Sequence, residues 1–91
     1  NMLIALICTD KKGGLDTRKA NRDAHLGYIA ETGVVAMAGP LLDEAGEMAG
    51  SLVILDVADA SAAQSWADND PYAKAGLFSD VRIQPWKKVI G

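Results

Sequence analysis

"VVAMAGPLLDEAGEMAGSLVILDV" occupies residues 34–57. It opens on a β-branched run that closes at Gly39–Pro40, and it ends on the apolar run "SLVILDV" at 51–57. The connection between them, "LLDEAGEMAG", is polar and carries glycines. Two short apolar runs joined in this way read as antiparallel strands of a hairpin with a long loop. What flanks a hairpin then decides the fold.

On the N-terminal side, "MLIALIC" (2–8) is a short apolar run that stops at the turn cluster "TDKKGG", and it reads as a buried strand. A helix follows, with Asp16 as its N-cap and Gly33 as its stop. Leu26, Ile29 and Ala30 repeat inside it at helical spacing. On the C-terminal side, Asp59 or Ser61 caps a second helix through "AAQSWAD", with Ala62, Ala63 and Trp66 facing inward. Pro71 ends it, because proline lacks the amide hydrogen that a helix interior needs. In "FSDVRIQPW" (78–86), Val81 and Ile83 alternate with Asp80, Arg82 and Gln84, the pattern of a half-exposed strand. Pro85 restricts that strand to an edge, or itself to the strand's end. The order β-α-β-β-α-β predicts a ferredoxin-like split βαβ fold over one domain, residues 1–91. This is an α+β architecture: a four-stranded antiparallel sheet with both helices on one face.

Helices can cover only one face, yet the first and third strands are apolar on both. Leu3, Ala5 and Ile7 point opposite to Ile4, Leu6 and Cys8, and Leu52 and Ile54 opposite to Val53 and Leu55. Leaving about 400 Å² of apolar sheet bare would forgo about 10 kcal/mol of gross burial at roughly 25 cal/mol per Å², and would leave an adhesive patch. The expected cover is a second copy, packed sheet to sheet as a homodimer.

Composition narrows the function classes. A net charge of −3 argues against a nucleic-acid surface, which needs clustered cations. The pairs Lys11–Lys12 and Lys87–Lys88 read as solvated strand ends. Cys8 is the chain's single cysteine, so no intrachain disulfide forms, and its apolar surroundings suit a packed thiol rather than a nucleophile. One histidine and one cysteine far apart make no metal-ligand pattern. No apolar run is long enough for a membrane span, and a cytoplasmic location is the expectation. No phosphate-cradling glycine loop or dinucleotide fingerprint is present, so no cofactor is expected.

The chemistry concentrates in "DTRKANRDAHLGYIAETG" (16–33), which holds Arg18, Arg22 and His25. At about 100° per residue these span roughly 60° of one helix side. In projection Arg22 falls between Leu26 and Ile29 on the inward stripe, with Arg18 and His25 at its edge. The topology brings the end of the second helix, with Asp68 and Asp70, toward this cationic side. Asp70 has two readings: N-cap of a turn that starts at Pro71, or acidic partner of the site. Imidazole changes charge near neutral pH, which makes His25 the best general base in the chain.

The same residues carry a family resemblance. "RKANRDAHLGYI", "AGP" at 38–40, "WADNDPYAKAGLFSDVRIQPWKKV" and the opening "MLIALICTDK" resemble the YciI-like family over nearly the whole chain. The resemblance implies ferredoxin-like subunits forming a dimeric α+β barrel, and a pocket with a His/Asp pair. It places that pair on His25 and Asp70, with Arg22 as the motif arginine and Asp10 after the first strand. With Arg18 and the Tyr72 of Asp-Pro-Tyr, Arg22 and Asp10 complete the expected substrate-binding set.

Three functions fit these residues. The first is an enzyme doing cofactor-independent acid–base chemistry, such as isomerisation, elimination or lyase-type proton transfer, on a small anionic or oxygenated organic molecule. His25 would move the proton, Asp70 would orient it, and an arginine would hold the substrate. The second is a non-catalytic module that binds a small ligand through the same residues. The third is purely structural, with an Arg22–Asp70 staple.

Overall fold

The computed structural model describes residues 1–91. Four strands, β1 (Met2–Asp10), β2 (Val35–Leu42), β3 (Met48–Val57) and β4 (Phe78–Trp86), form one sheet in the order β2-β3-β1-β4. Every neighbouring pair is antiparallel. Helix α1 (Leu15–Thr32) links β1 to β2, and α2 (Ala60–Asn69) with the short α3 (Pro71–Lys74) links β3 to β4. This is the split βαβ order read from the sequence.

Several boundaries moved. The hairpin strands run on through "LL" and "MAG", so the long loop shrinks to residues 43–47. There Gly46 (φ +80°) turns the chain, while the Asp43 carboxylate accepts from the amides of Ala45 and Glu47 at 2.9 and 3.0 Å. Asp16 is not the N-cap of α1. Gly14 holds that place, where a Cβ would lie 2.9 Å from the Lys11 carbonyl oxygen, and Asp16 sits in the first turn, near the positive end of the helix dipole. Gly33 closes α1 in the left-handed conformation (φ +64°). Asp59, rather than Ser61, caps α2, accepting from the Ala62 amide at 2.8 Å. Pro40 and Pro85 both lie on edge strands, where the missing amide hydrogen breaks no central ladder.

Alternation sorts the sheet into two faces. Ile4, Leu6 and Cys8 stand beside Val53, Leu55 and Val57 and pack under Ala63, Trp66 and Ala67 of α2, forming the core. Helix α1 stands further from the strands, packs Tyr28 and Ile29 against this core, and is braced by polar bonds. The Tyr28 hydroxyl donates to the Trp66 carbonyl, and the Trp66 indole donates to the Thr32 hydroxyl, both at 2.9 Å. No helix covers the opposite sheet face. On it Met37, Leu41, Leu52 and Trp86 are 38–51% exposed, flanking Ala5 and Ile54, which are themselves buried.

The inward stripe of α1 also differs from expectation. Leu26 is 44% exposed and Arg22 is exposed. The buried residues are Arg18 and His25, continued by the half-buried Tyr28, Ile29 and Thr32. Arg18 can turn inward because a strand supplies its counter-charge. Leu26 stays open because it borders a cavity instead of the core.

Candidate functional site

The site starts at the end of β1. Even-numbered residues of this strand face the helices, so Asp10 points toward α1. The Arg18 guanidinium meets its carboxylate in a two-pronged pair, Nε to Oδ2 at 2.7 Å and Nη2 to Oδ1 at 2.8 Å. Nη2 also donates to the Ser51 hydroxyl at 2.9 Å. Burial alone works against the Arg18 charge, but the hydrogen bond and negative charge of Asp10 outweigh it and hold the guanidinium more firmly protonated than usual.

The second half comes from the Asp-Pro-Tyr corner, where both readings of Asp70 hold. Its Oδ1 accepts from the Tyr72 amide at 3.0 Å, capping α3, and pairs with His25 Nδ1 at 2.8 Å. Asp68 has no part in this: it is exposed and accepts from Gln64. The corner is tied to β1 through Leu77, whose amide donates to the Tyr72 carbonyl and whose carbonyl accepts from the Lys11 amide at 2.8 Å. Asp10 and Asp70 are therefore held in one place, although 60 residues separate them in the sequence.

Tyr72 joins the halves. Its ring stacks on His25 with centroids 4.0 Å apart and planes 17° from parallel, and the Arg18 guanidinium carbon lies 4.6 Å from its centroid. Burial raises the Tyr72 pKa against the pull of Arg18, so the hydroxyl stays a donor at neutral pH. Beneath lies Cys8, whose thiol burial pushes up to about 12, with the Asp70 charge adding to the effect. That is a packed thiol and not a nucleophile.

Arg18, His25 and Tyr72 wall one end of a cavity of about 180 Å³ between α1 and the β2–β3 hairpin, which their partners Asp10 and Asp70 do not line. Arg18, Arg22, His25, Tyr72 and Ser51 supply its polar wall, and Leu26, Ile29, Pro40, Met48 and Val53 its apolar one. A wider groove of about 830 Å³ lies between α1 and α2, but it is shallow and touches none of the paired groups, so the smaller cavity is the chemical one. Every buried side-chain nitrogen and oxygen has a partner. His25 Nε2 makes no hydrogen bond within the chain, so it lies where solvent reaches, on a ring that lines the cavity. With Nδ1–H donating to the Asp70 carboxylate, a neutral imidazole presents its Nε2 lone pair. No group of three or more potential metal-ligating side chains is gathered anywhere in the chain.

The structure thus brings together Asp10, Arg18, His25, Asp70 and Tyr72, and sets Arg22 at the cavity's edge. The expected Arg22–Asp70 staple does not form: Arg18 pairs with Asp10, and Asp70 with His25. Sequence reasoning missed Ser51. The available signal was a hydroxyl at the head of the core-facing row Ser51, Val53, Leu55, Val57.

Comparison with known proteins identifies relatives of this chain. The YCII-related domain family matches residues 2–87. "Protein YciI" of Escherichia coli O6:H1 is 37% identical, over 97% of this chain and 99% of the relative. An uncharacterised protein of Haemophilus influenzae is 34% identical, over 97% and 99%. Among solved structures, this chain superposes on the 5-chloro-2-hydroxyhydroquinone dehydrochlorinase TftG of Burkholderia phenoliruptrix AC1100, in complex with 2,5-dihydroxybenzoquinone. The TM-score is 0.85, with 32% identity and 94% of each chain covered. A putative antibiotic biosynthesis monooxygenase from Bacteroides thetaiotaomicron shares the fold alone, at TM-score 0.60 and 11% identity over 98% and 90% of the chains. No helix here is long and apolar enough to cross a membrane. On this family match and these identities, the chain belongs to the YciI-like family of YCII-related domains.

Proposed function

We propose that this protein is an enzyme that moves protons on a small, oxygenated one-ring organic molecule by elimination, lyase or isomerase chemistry. The observation that carries the reading is the His25–Asp70 pair, bonded through Nδ1, with Nε2 left free on a ring that lines the cavity. The cavity's size supports the substrate class, since about 150 Å³ of enclosed space holds one benzene ring. Kinship with a dehydrochlorinase whose complex contains a dihydroxybenzoquinone points the same way.

In such a step His25 Nε2 takes a proton from a ring hydroxyl. The O–H pair becomes part of a new C=O bond, and the proton returns to the ring carbon that bears the leaving group, making that carbon tetrahedral. Loss of a proton from a second ring hydroxyl then forms another C=O bond and expels the leaving group with its bonding pair. The net loss is one proton and one anion, so no electron acceptor is needed. Asp70 fixes the tautomer and stabilises the imidazolium that forms. Tyr72 and Ser51 offer hydroxyls to the developing oxyanion. Isomerisation uses the same base and returns the proton to another atom.

The protein acts in this reading as a homodimer joined through the open sheet face, supported by the exposed row Met37, Leu41, Leu52 and Trp86. The test is a turnover screen of hydroxylated and halogenated phenols, following halide release and quinone absorbance. His25→Ala should cost about 10²–10⁴ in rate, and His25→Gln, which keeps an amide donor for the Asp70 carboxylate, should cost as much in rate with a smaller loss of melting temperature. Unchanged turnover in His25→Ala would refute the mechanism. Ligands that bind without turning over would favour the binding-module reading.

A further inference from the structure

We propose that Arg22 sets the charge class of the ligand: it receives an anionic substituent, a carboxylate or phenolate, at the cavity's edge. The inference rests on the small-ligand reading above and concerns the same cavity. It follows from how the charges around the cavity are already spent. Arg18 is buried, and both prongs of its fork lie on Asp10. Its charge is offset, and a ligand would have to compete with a carboxylate for it. The Asp70 carboxylate is committed to His25 and the α3 cap. Neither ion pair of the chain includes Arg22.

Arg22 nevertheless lines the cavity. The hairpin wall that it shares the cavity with, Ala38, Gly39, Pro40 and Met48, carries no ionisable side chain. On its own helix it lies four residues from Arg18, a like-charge spacing that weakens a helix. A structural role would favour almost any other long side chain there. The Arg22 charge already reaches the site, pulling the Tyr72 hydroxyl toward ionisation, though less strongly than burial opposes it. An anionic group entering the cavity therefore finds one guanidinium with no competing carboxylate. Because Arg22 is exposed, that contact weakens with salt, whereas a contact to buried Arg18 would not.

The experiment uses two probes of one shape, benzoate and benzamide, titrated calorimetrically into the full chain at low and at physiological salt. Benzoate should bind about tenfold tighter at low salt, and salt should erode the difference. Arg22→Gln should bring benzoate down to the level of benzamide, leave benzamide and the melting temperature unchanged, and Arg22→Lys should keep part of the preference. A benzoate preference that survives Arg22→Gln would overturn the proposal by placing the anion on Arg18. Equal binding of both probes to the wild-type chain would overturn it while leaving the small-ligand reading intact. Binding of neither at millimolar concentration would overturn both.

Discussion

Replacing Asp10 with alanine isolates the interaction on which the site is built. The Asp10 and Arg18 side chains are 5% and 3% exposed, and two hydrogen bonds at 2.7 and 2.8 Å join them. Without Asp10, a desolvated guanidinium keeps only the Ser51 hydroxyl as a side-chain acceptor. Breaking a buried pair from one side costs about 3–5 kcal/mol, a large part of the roughly 5–15 kcal/mol that holds a small domain together. At a urea slope of about 1.5 kcal/mol per M, the midpoint should fall by about 2–3 M. Unfolding should be followed at one protein concentration, because the stability of the proposed homodimer depends on it. Asp10→Leu combined with Arg18→Met should recover most of the loss, since removing both charges also removes the cost of burying them. A loss below about 1 kcal/mol for Asp10→Ala, the range of solvent-screened pairs, would refute the account of a buried fork.

Two further outcomes test other parts of the structure. Leu52→Lys places a charge on the open sheet face, at a position 39% exposed in the single chain, and should give monomers by sedimentation velocity; an unchanged association state would show that the partner sits elsewhere. Alkaline stability follows from Cys8, whose folded thiol holds its proton to about 12 against 9.0 ordinarily. The folded chain then binds a proton that the unfolded chain releases, so stability is intact below pH 9.0 and declines as pH rises toward 12. Tyr28 and Tyr72, both raised chiefly by burial, add a loss of the same sign above pH 10. Urea midpoints measured from neutral pH to pH 11 should show the decline begin later in Cys8→Ala, and an identical pH profile in that variant would contradict the burial argument.

The stacking of Tyr72 between the two polar pairs makes their energies interdependent. His25, Tyr72 and Arg18 form one continuous contact, and Asp10 and Asp70 each anchor one end of it. Substitutions within this set should not add independently. A ligand that touches any one of them will sense the others. This coupling favours an arrangement held rigid before a ligand arrives, as the proposed proton transfer over a fixed distance would require.

The sequence by itself determined the fold. Alternation in β4, double-sided apolar strands β1 and β3, and breakers at Gly33 and Pro71 are local signals, and few arrangements of six elements in this order satisfy them without a left-handed crossover. It also named the candidate residues for the proposed chemistry, because one histidine and few arginines leave little choice. What it could not fix was rotation and partnership. A helical projection placed Arg22 inward and Arg18 at the edge, since it weighs side chains by hydrophobicity alone. The buried positions went instead to Arg18 and His25, because β1 presents Asp10 to one, the α3 corner presents Asp70 to the other, and Tyr72 fills the space between. Which cation is buried depends on where a carboxylate stands across the fold. That position lies dozens of residues away in sequence and is set only when the sheet and helices close on each other.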